Sequence, residues 1–494
     1  MSIWKRKSLS VILEEANESG KGLKRTLGVW SLIALGIGAV IGSGLFVSTA
    51  NAIANNAGPS VTFGFLIAAI GCALCGFCYA ELASSLPISG SAYTYTYATM
   101  GELLAWIIGW DLILEYAVGA ATVSISWSEY LNNMLVNVLH TDPIPYALSH
   151  SPFQTSLAGE HGIINLPALL IVGAITLLLI KGTKESALVN GIIVIIKVAI
   201  VISIIIIGWS FINPSNHTPY ISAATTYTDE NGISHSFGGI MGILASAGTV
   251  FFAFIGFDAV STAAQETINP RKTMPVGILG TLAFCTVLYI LFGHVLSGVA
   301  TIEDFRTEGK EASVAFAISK YMHGYNWLAQ LVTVAILAGF SSVILALLMG
   351  QSRVFYIMGK DGLLPKTFGD LHPKFKTPYK ANIAILIIVG LFAAFVPGNV
   401  VGDMTSIGTL FAFILVSISV IVLRKKEPGL KREFKTPFVP YVPVAGILVC
   451  IAMIFGLGWA NWLRLGIWLI LGLIIYFGYS KKNSVLNQKK KNNE

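Results

Sequence analysis

Apolar residues in this chain do not alternate with polar ones at the period of a surface helix or a half-buried strand. They gather in long runs separated by short polar segments. A run of about 20 apolar residues is the length of helix that crosses a bilayer. Backbone inside lipid must satisfy its own hydrogen bonds, so these runs are predicted to be helices. Twelve spans are expected, at 29–55, 61–85, 101–131, 164–180, 187–212, 238–266, 276–300, 326–357, 382–396, 405–423, 441–459 and 464–480. The ninth is short, and the third and eighth are long enough to imply tilt.

Composition agrees with this pattern. Hydrophobic residues make up 54% of the chain and charged residues only 12%, about half the charged share of a soluble domain. The net charge of +7 does not mark a nucleic-acid binder, because of where the charges lie. With the N-terminus placed inside and the loops assigned alternately, 27 of the 32 Lys and Arg fall in inside segments and 4 outside. The segments 133–163 and 213–237 contain no Lys or Arg. That is a positive-inside distribution, and it predicts a cell-membrane protein with both termini in the cytoplasm. The polar, basic first 28 residues do not read as a signal peptide. Cys72, Cys75 and Cys78 share a helix face, which reads as small-residue packing rather than a metal site because no His or carboxylate cluster accompanies them. The Lys489–Lys491 tail reads as a solvated segment, in preference to the alternative of an anionic-lipid contact.

Two spans carry signs of a break. The first runs from Gly36 to Phe46 through Gly38, Gly42 and Gly44. Close helix packing accounts for Gly38 and Gly42, four residues apart. It does not account for Gly42-Ser43-Gly44, because adjacent positions do not share a face. Local unwinding does, and it would expose N–H groups at the positive start of a second half-helix, a site for a carboxylate. The sixth span carries a glycine at Gly248 and a Gly256-Phe257-Asp258 sequence, five spans after the first. Interrupted helices at matching positions in two halves point to a transporter site near the bilayer midplane.

Three ionisable residues fall well inside spans: Lys197, Glu115 and Asp258. Such residues are functional candidates, because their desolvation must be compensated. Lys197 is the one basic residue that reports neither side of the membrane. Glu115 has Asp111 one turn away. It either attracts a cationic substrate or holds the broken helices in place. Asp258 follows the break in the sixth span and caps or braces it.

The segments Gly36–Phe46, Glu81–Tyr93, Gly256–Asp258 and Glu266–Pro275 together resemble the motifs of the amino acid–polyamine–organocation (APC) superfamily. Trp110–Tyr116 and Lys360–Pro365 place the resemblance nearest to bacterial relatives of the cationic amino acid transporters. The resemblance covers about residues 22–480. It implies a leucine-transporter-like five-plus-five inverted repeat with broken helices one and six. The domains would be a cytoplasmic segment 1–28, repeats at 29–212 and 238–423, two further helices at 424–480 and a basic tail at 481–494.

It also implies a site. The substrate carboxylate would meet Ser43 and the N–H groups around Ser43 and Gly44. Its ammonium would meet the carbonyls of Val40, Ile41, Phe252, Ala253 and Ile255, with Phe252 as a gate. Lys197 would stand where relatives bind sodium, with Ser341 and Ser342 as partners, so that a proton does the work of the ion. Glu266 and Arg271 would pair at the inner gate, and Pro87–Tyr93 would form a turn there.

The expected function is secondary active import of amino acids, cationic or small and neutral, by proton symport. An exchanger and a membrane sensor are the alternatives, the latter disfavoured by the short tail. No catalytic motif is present, so no enzyme is expected. No cofactor is expected beyond a proton gradient. The expected partners are an L-amino acid, protons and membrane lipid, with a small membrane subunit left open.

Overall fold

A computed structural model describes residues 5–17, 25–42, 44–156, 159–228, 234–307, 313–456 and 459–491. The expected carboxylate ligand Ser43 lies outside them.

The described chain is an all-helical membrane bundle with one small hairpin. Eight helical stretches are long and apolar enough to cross a bilayer. Four more apolar helices are shorter: Val29–Val40, Leu166–Lys181, Tyr379–Phe395 and Tyr441–Phe455. Large aliphatic side chains cover the outside. Ile195 is 72% exposed and Ile240 77%, exposures that in water would mark an aggregating surface and that lipid tolerates. Small residues and most of the buried polar residues turn inward. The helix Pro270–Val299 lies along both Val61–Ser85 and Val29–Val40. The helix Asn326–Lys360 packs on Gly119–Asn137 and Thr183–Gly208.

Three expected elements differ in detail. The first span is a regular helix only to Val40. It resumes at Gly44 with a π-helical turn, Gly44–Ser48, and runs to Ala57. Gly58 then takes φ +55 and redirects the chain into Val61–Ser85. The third span is one continuous helical run, Glu102–Asn137, with a π-helical stretch Ile113–Val118 at its middle. Residues expected to continue a turn to Tyr93 instead form a buried helix, Ser91–Thr99. The turn expected from Pro87, Ser89 and Gly90 does form, over residues 87–90, but it ends at Ser91, where Tyr93, Tyr95 and Tyr97 bury their rings along the helix.

One end of the bundle gathers the basic segments. Lys7 pairs with Asp361 at 2.6 Å, and Asp361 also accepts from the Tyr93 hydroxyl at 2.8 Å. Lys5 donates to the carbonyl of Leu486 at 3.1 Å. Glu102 accepts from Tyr97, Tyr476 and Asn487, and from Ser484 at short range. Arg424 grips Glu81 through Nε and Nη2 at 3.0 and 2.7 Å. Residues 5–7 and 484–487 therefore close over the same end of the third and eighth spans.

The opposite end carries an antiparallel hairpin, Thr225–Thr228 with Ser234–Phe237. Arg306 lies 3.9 Å from the Tyr227 ring and 4.7 Å from the Phe237 ring, and donates to the carbonyl of Ala54. Nearby, burial pushes the Asp304 carboxyl up, but hydrogen bonds from Lys320, Thr301 and Tyr321 outweigh it and hold the group down at about 2.

Candidate functional site

The breaks in the first and sixth spans meet backbone to backbone. A Cβ on Gly44 would sit 2.3 Å from the Cα of Ala253, closer than any side chain fits. Gly256 takes φ +104, and a Cβ there would stand 3.0 Å from that of Ala39. In the sixth span the regular helix ends at Phe251, a single tight turn covers Phe252–Phe254, and Ile255 is extended at ψ 136. Helix resumes at Ala259. Gly256 is therefore required for its backbone conformation, and Gly44 for the close contact.

Interrupted helices leave carbonyls unpaired, and buried carbonyls need donors. Two side chains from neighbouring helices supply them. The Lys197 ammonium donates to Gly38 at 2.9 Å, to Ile41 at 2.7 Å and to the Ser342 hydroxyl at 2.8 Å. An ammonium has three N–H donors, and all three are used. The residue is 1% exposed. Ser342 passes its own hydrogen to Gly38 or Gly339. Its neighbour Ser341 faces away, donating to Leu337 and accepting from the Trp127 indole at 3.1 Å.

The Tyr289 hydroxyl lies 2.9 Å from both the Val40 and the Ala253 carbonyls and so joins one broken helix to the other. Sequence reasoning missed Tyr289. Its signal was a tyrosine at mid-depth of an apolar run, away from the interface where membrane tyrosines concentrate. Asn190 was also missed. Its amide donates to Ala34 at 3.2 Å, and a Cβ on Gly38 would strike it.

Of the carbonyls expected to hold the substrate ammonium, Val40, Ile41 and Ala253 thus already accept protein hydrogen bonds, and Phe252 accepts from Ile255 N–H at 3.3 Å. Each keeps a second lone pair. The Phe252 ring is partly exposed between buried neighbours.

Glu115 lies in the π-helical stretch of the third span, a feature common at functional sites. Its carboxyl faces Asp258 and Thr409 without reaching standard hydrogen-bond geometry to either. Asp258 accepts a short hydrogen bond from Tyr116. These groups stand beside the break in the sixth span. Asp111 is fully buried one turn earlier, against Gly408.

The expected Glu266–Arg271 pair is replaced by another. Arg353, from the eighth span, donates Nε and Nη2 to one Glu266 oxygen at 3.0 and 2.6 Å, and Nη1 to the Met349 carbonyl. Arg271 is exposed. The chain entering the first span is pinned to the same place, because Thr26 and Leu27 donate to the Glu266 carbonyl at 2.8 and 2.9 Å. The three neighbouring cysteines are buried and free, with Cys75 at 3.6 Å from Cys450.

A membrane bundle whose two interrupted helices are joined by a buried tyrosine, with a buried lysine tying the first of them to the eighth span, has the architecture of a carrier. Comparison with known proteins fixes the family. The amino acid permease family model matches residues 27–478, and the chain belongs to that family. It is 43% identical to the branched-chain amino acid permease BcaP of Bacillus subtilis (strain 168), over 99% of both chains. It is 41% identical to the methylthioribose transporter of the same organism, over 99% of this chain and 100% of that one. It is 34% identical to the vacuolar cationic amino acid transporter 2 of Arabidopsis thaliana, over 84% of this chain and 62% of that one. These relatives are transporters, and this chain is a transporter rather than an enzyme.

Proposed function

We propose that this protein imports amino acids with neutral, aliphatic side chains across the cell membrane by proton symport and alternating access. The observation that carries the reading is the Lys197 ammonium, which ties the unwound first span to the eighth through Gly38, Ile41 and Ser342. Neutralising the nitrogen removes one of three donors from the joint between helices that must part. The cycle then depends on a proton without any bound metal.

The wider architecture follows the same reading. The eight long helical stretches and four short ones make up twelve spans, once the run Gly44–Ser85 is divided at Gly58 and joined to Val29–Val40. Spans one to five and six to ten form the two inverted repeats. The basic end is cytoplasmic. The substrate lies between the breaks, its carboxylate at the N–H groups around Gly44 and Ser43 and its ammonium on the free lone pairs of Val40, Ile41, Phe252, Ala253 and Ile255. Phe252 covers it.

Two points favour a neutral side chain over a cationic one. The residues at the breaks are mostly apolar. Glu115, the nearby acid, is turned toward Asp258 and Thr409, which suits a brace better than a charge reader. Replacing Glu115 by Gln is therefore expected to weaken uptake of leucine and arginine by the same factor. A selective loss of arginine would assign it to charge recognition instead.

A second substrate has a specific observation behind it. The relative named for methylthioribose is almost as similar as the one named for branched-chain amino acids. Uptake into liposomes decides between them. Leucine, isoleucine and valine are expected to accumulate under an inward proton gradient and to compete with one another. Alanine and arginine are expected to compete weakly. Accumulation of methylthioribose, with none of the amino acids, would overturn the proposal. Counterflow without any response to the gradient would make the protein an exchanger.

A further inference from the structure

The end of the bundle that gathers the basic loops carries a cavity of about 450 Å³. It opens where the eighth span leaves the membrane and the ninth enters. Tyr356, Lys360, Gly369, Asp370, Leu371 and Tyr379 line it. Its floor is preformed by close backbone contact. A Cβ on Gly359 would sit 2.7 Å from the Gly369 nitrogen, so the loop lies directly on the helix end. Phe355 and Phe368 stack at 5.6 Å behind it. Hydrogen bonds from His372 N–H to Thr377 and from Lys376 N–H to His372, at 2.8 and 2.9 Å, hold the rim. The Thr377 hydroxyl ties that rim to the Ile180 carbonyl at 2.8 Å, beside Lys181.

The charge at this cavity is not balanced. Asp370 is neutralised by Lys380 at 2.7 Å, and Asp361 by Lys7 at 2.6 Å. Among the described residues no ion pair is found for Lys360, Lys366, Lys374 or Lys376. Lys360 is exposed, with its ammonium 4.8 Å from the Tyr356 ring. A concave site at the membrane boundary with surplus ammonium groups and two phenols suits a phosphate group. Its position between two membrane helices favours a phosphate that arrives laterally. Phe375, 39% exposed on the same rim, supplies an apolar surface beside it.

We propose that this cavity binds the phosphate headgroup of an anionic phospholipid of the cytoplasmic leaflet, with Lys360 as the principal contact. Lys366, Lys374 and Lys376 add long-range attraction. The proposal rests on the membrane orientation given above and not on the transported substrate, so it can fail while the uptake result stands.

The test uses the full-length protein in phosphatidylcholine nanodiscs, titrated with phosphatidylglycerol, with bound lipid read by native mass spectrometry. Wild type is expected to retain phosphatidylglycerol in preference to phosphatidylcholine. Lys360→Gln should weaken that retention about fivefold, the effect of one lysine at an anionic membrane surface. Lys431→Gln, at an exposed position in another loop, should retain it unchanged, and a melting curve for each variant separates lost binding from lost fold. Equal retention by wild type and Lys360→Gln would overturn the assignment. A second arm titrates inorganic phosphate onto lipid-stripped protein in detergent. Phosphate binding that depends on Lys360, with no preference between the two lipids, would assign the site to a soluble phosphate and overturn the lipid source.

Discussion

Lys197→Met is expected to abolish the response of uptake to a pH gradient while leaving counterflow of substrate measurable. The methionine keeps most of the side chain's length and apolar volume but has no donor. It would leave the Gly38 and Ile41 carbonyls and the Ser342 hydroxyl without the nitrogen they now share. A proton crossing one pH unit supplies about 1.4 kcal/mol, a factor of about 10 in accumulation at one proton per substrate. With the membrane potential clamped at zero, wild type is expected to concentrate leucine about 10-fold per pH unit and the variant about onefold. Lys197→Arg separates charge from geometry. It keeps a permanent cation with a larger, planar donor set, so gradient-driven uptake should also fail. A fully retained gradient response in Lys197→Met would refute the coupling role.

The second large effect concerns the Glu266–Arg353 pair. The two side chains are 1% and 2% exposed. Removing one partner of such a pair costs roughly 3–5 kcal/mol, because the other charge remains buried and uncompensated. Here the cost falls on Glu266. Both contacting Arg353 nitrogens converge on Glu266 Oε1, and Oε2 has no hydrogen-bond partner among the described residues. Arg353→Met is therefore expected to lower the unfolding temperature sharply and reduce the yield of folded protein. Adding Glu266→Gln should recover a large part of that loss, since the orphaned charge is gone. A double-mutant cycle in detergent melts measures the coupling. Equal melting temperatures for wild type and Arg353→Met would show that water or rearrangement relieves the charge. The pair also joins the sixth span to the eighth at the basic end, and the Glu266 carbonyl holds the chain entering the first. The rescued double variant is then expected to fold but to transport at a changed rate, which separates stability from gating.

The positions of the membrane helices were legible because lipid imposes a length and a composition on each run. The two breaks were legible because only glycine tolerates the conformations and contacts they need. Gly256 at φ +104 and Gly44 against Ala253 are the cases in point. The suspicion attached to Lys197, Glu115 and Asp258 needed no structure either, because an ionisable group in an apolar run stands out by itself.

Partnerships did not follow the same logic. A charged side chain reaches whatever the fold brings within about 3 Å, and sequence proximity says little about that. Glu266 was matched to Arg271, five residues on, and is in fact held by Arg353, 87 residues away. Ser341 and Ser342 differ by one position, yet a helix turns adjacent residues by about 100°. Only Ser342 faces Lys197. Tyr289 reads as one more aromatic residue until the fold sets its hydroxyl between Val40 and Ala253. The clasp of Lys5, Lys7 and Ser484 over the third and eighth spans joins segments separated by almost the whole chain. Solvent and backbone sterics act residue by residue, so a helical membrane protein with two weakened spans and a few buried charges could be read from the residues alone. Which groups satisfy those charges and carbonyls was decided only by the tertiary structure, because hydrogen bonds and ion pairs depend on distances that packing alone sets.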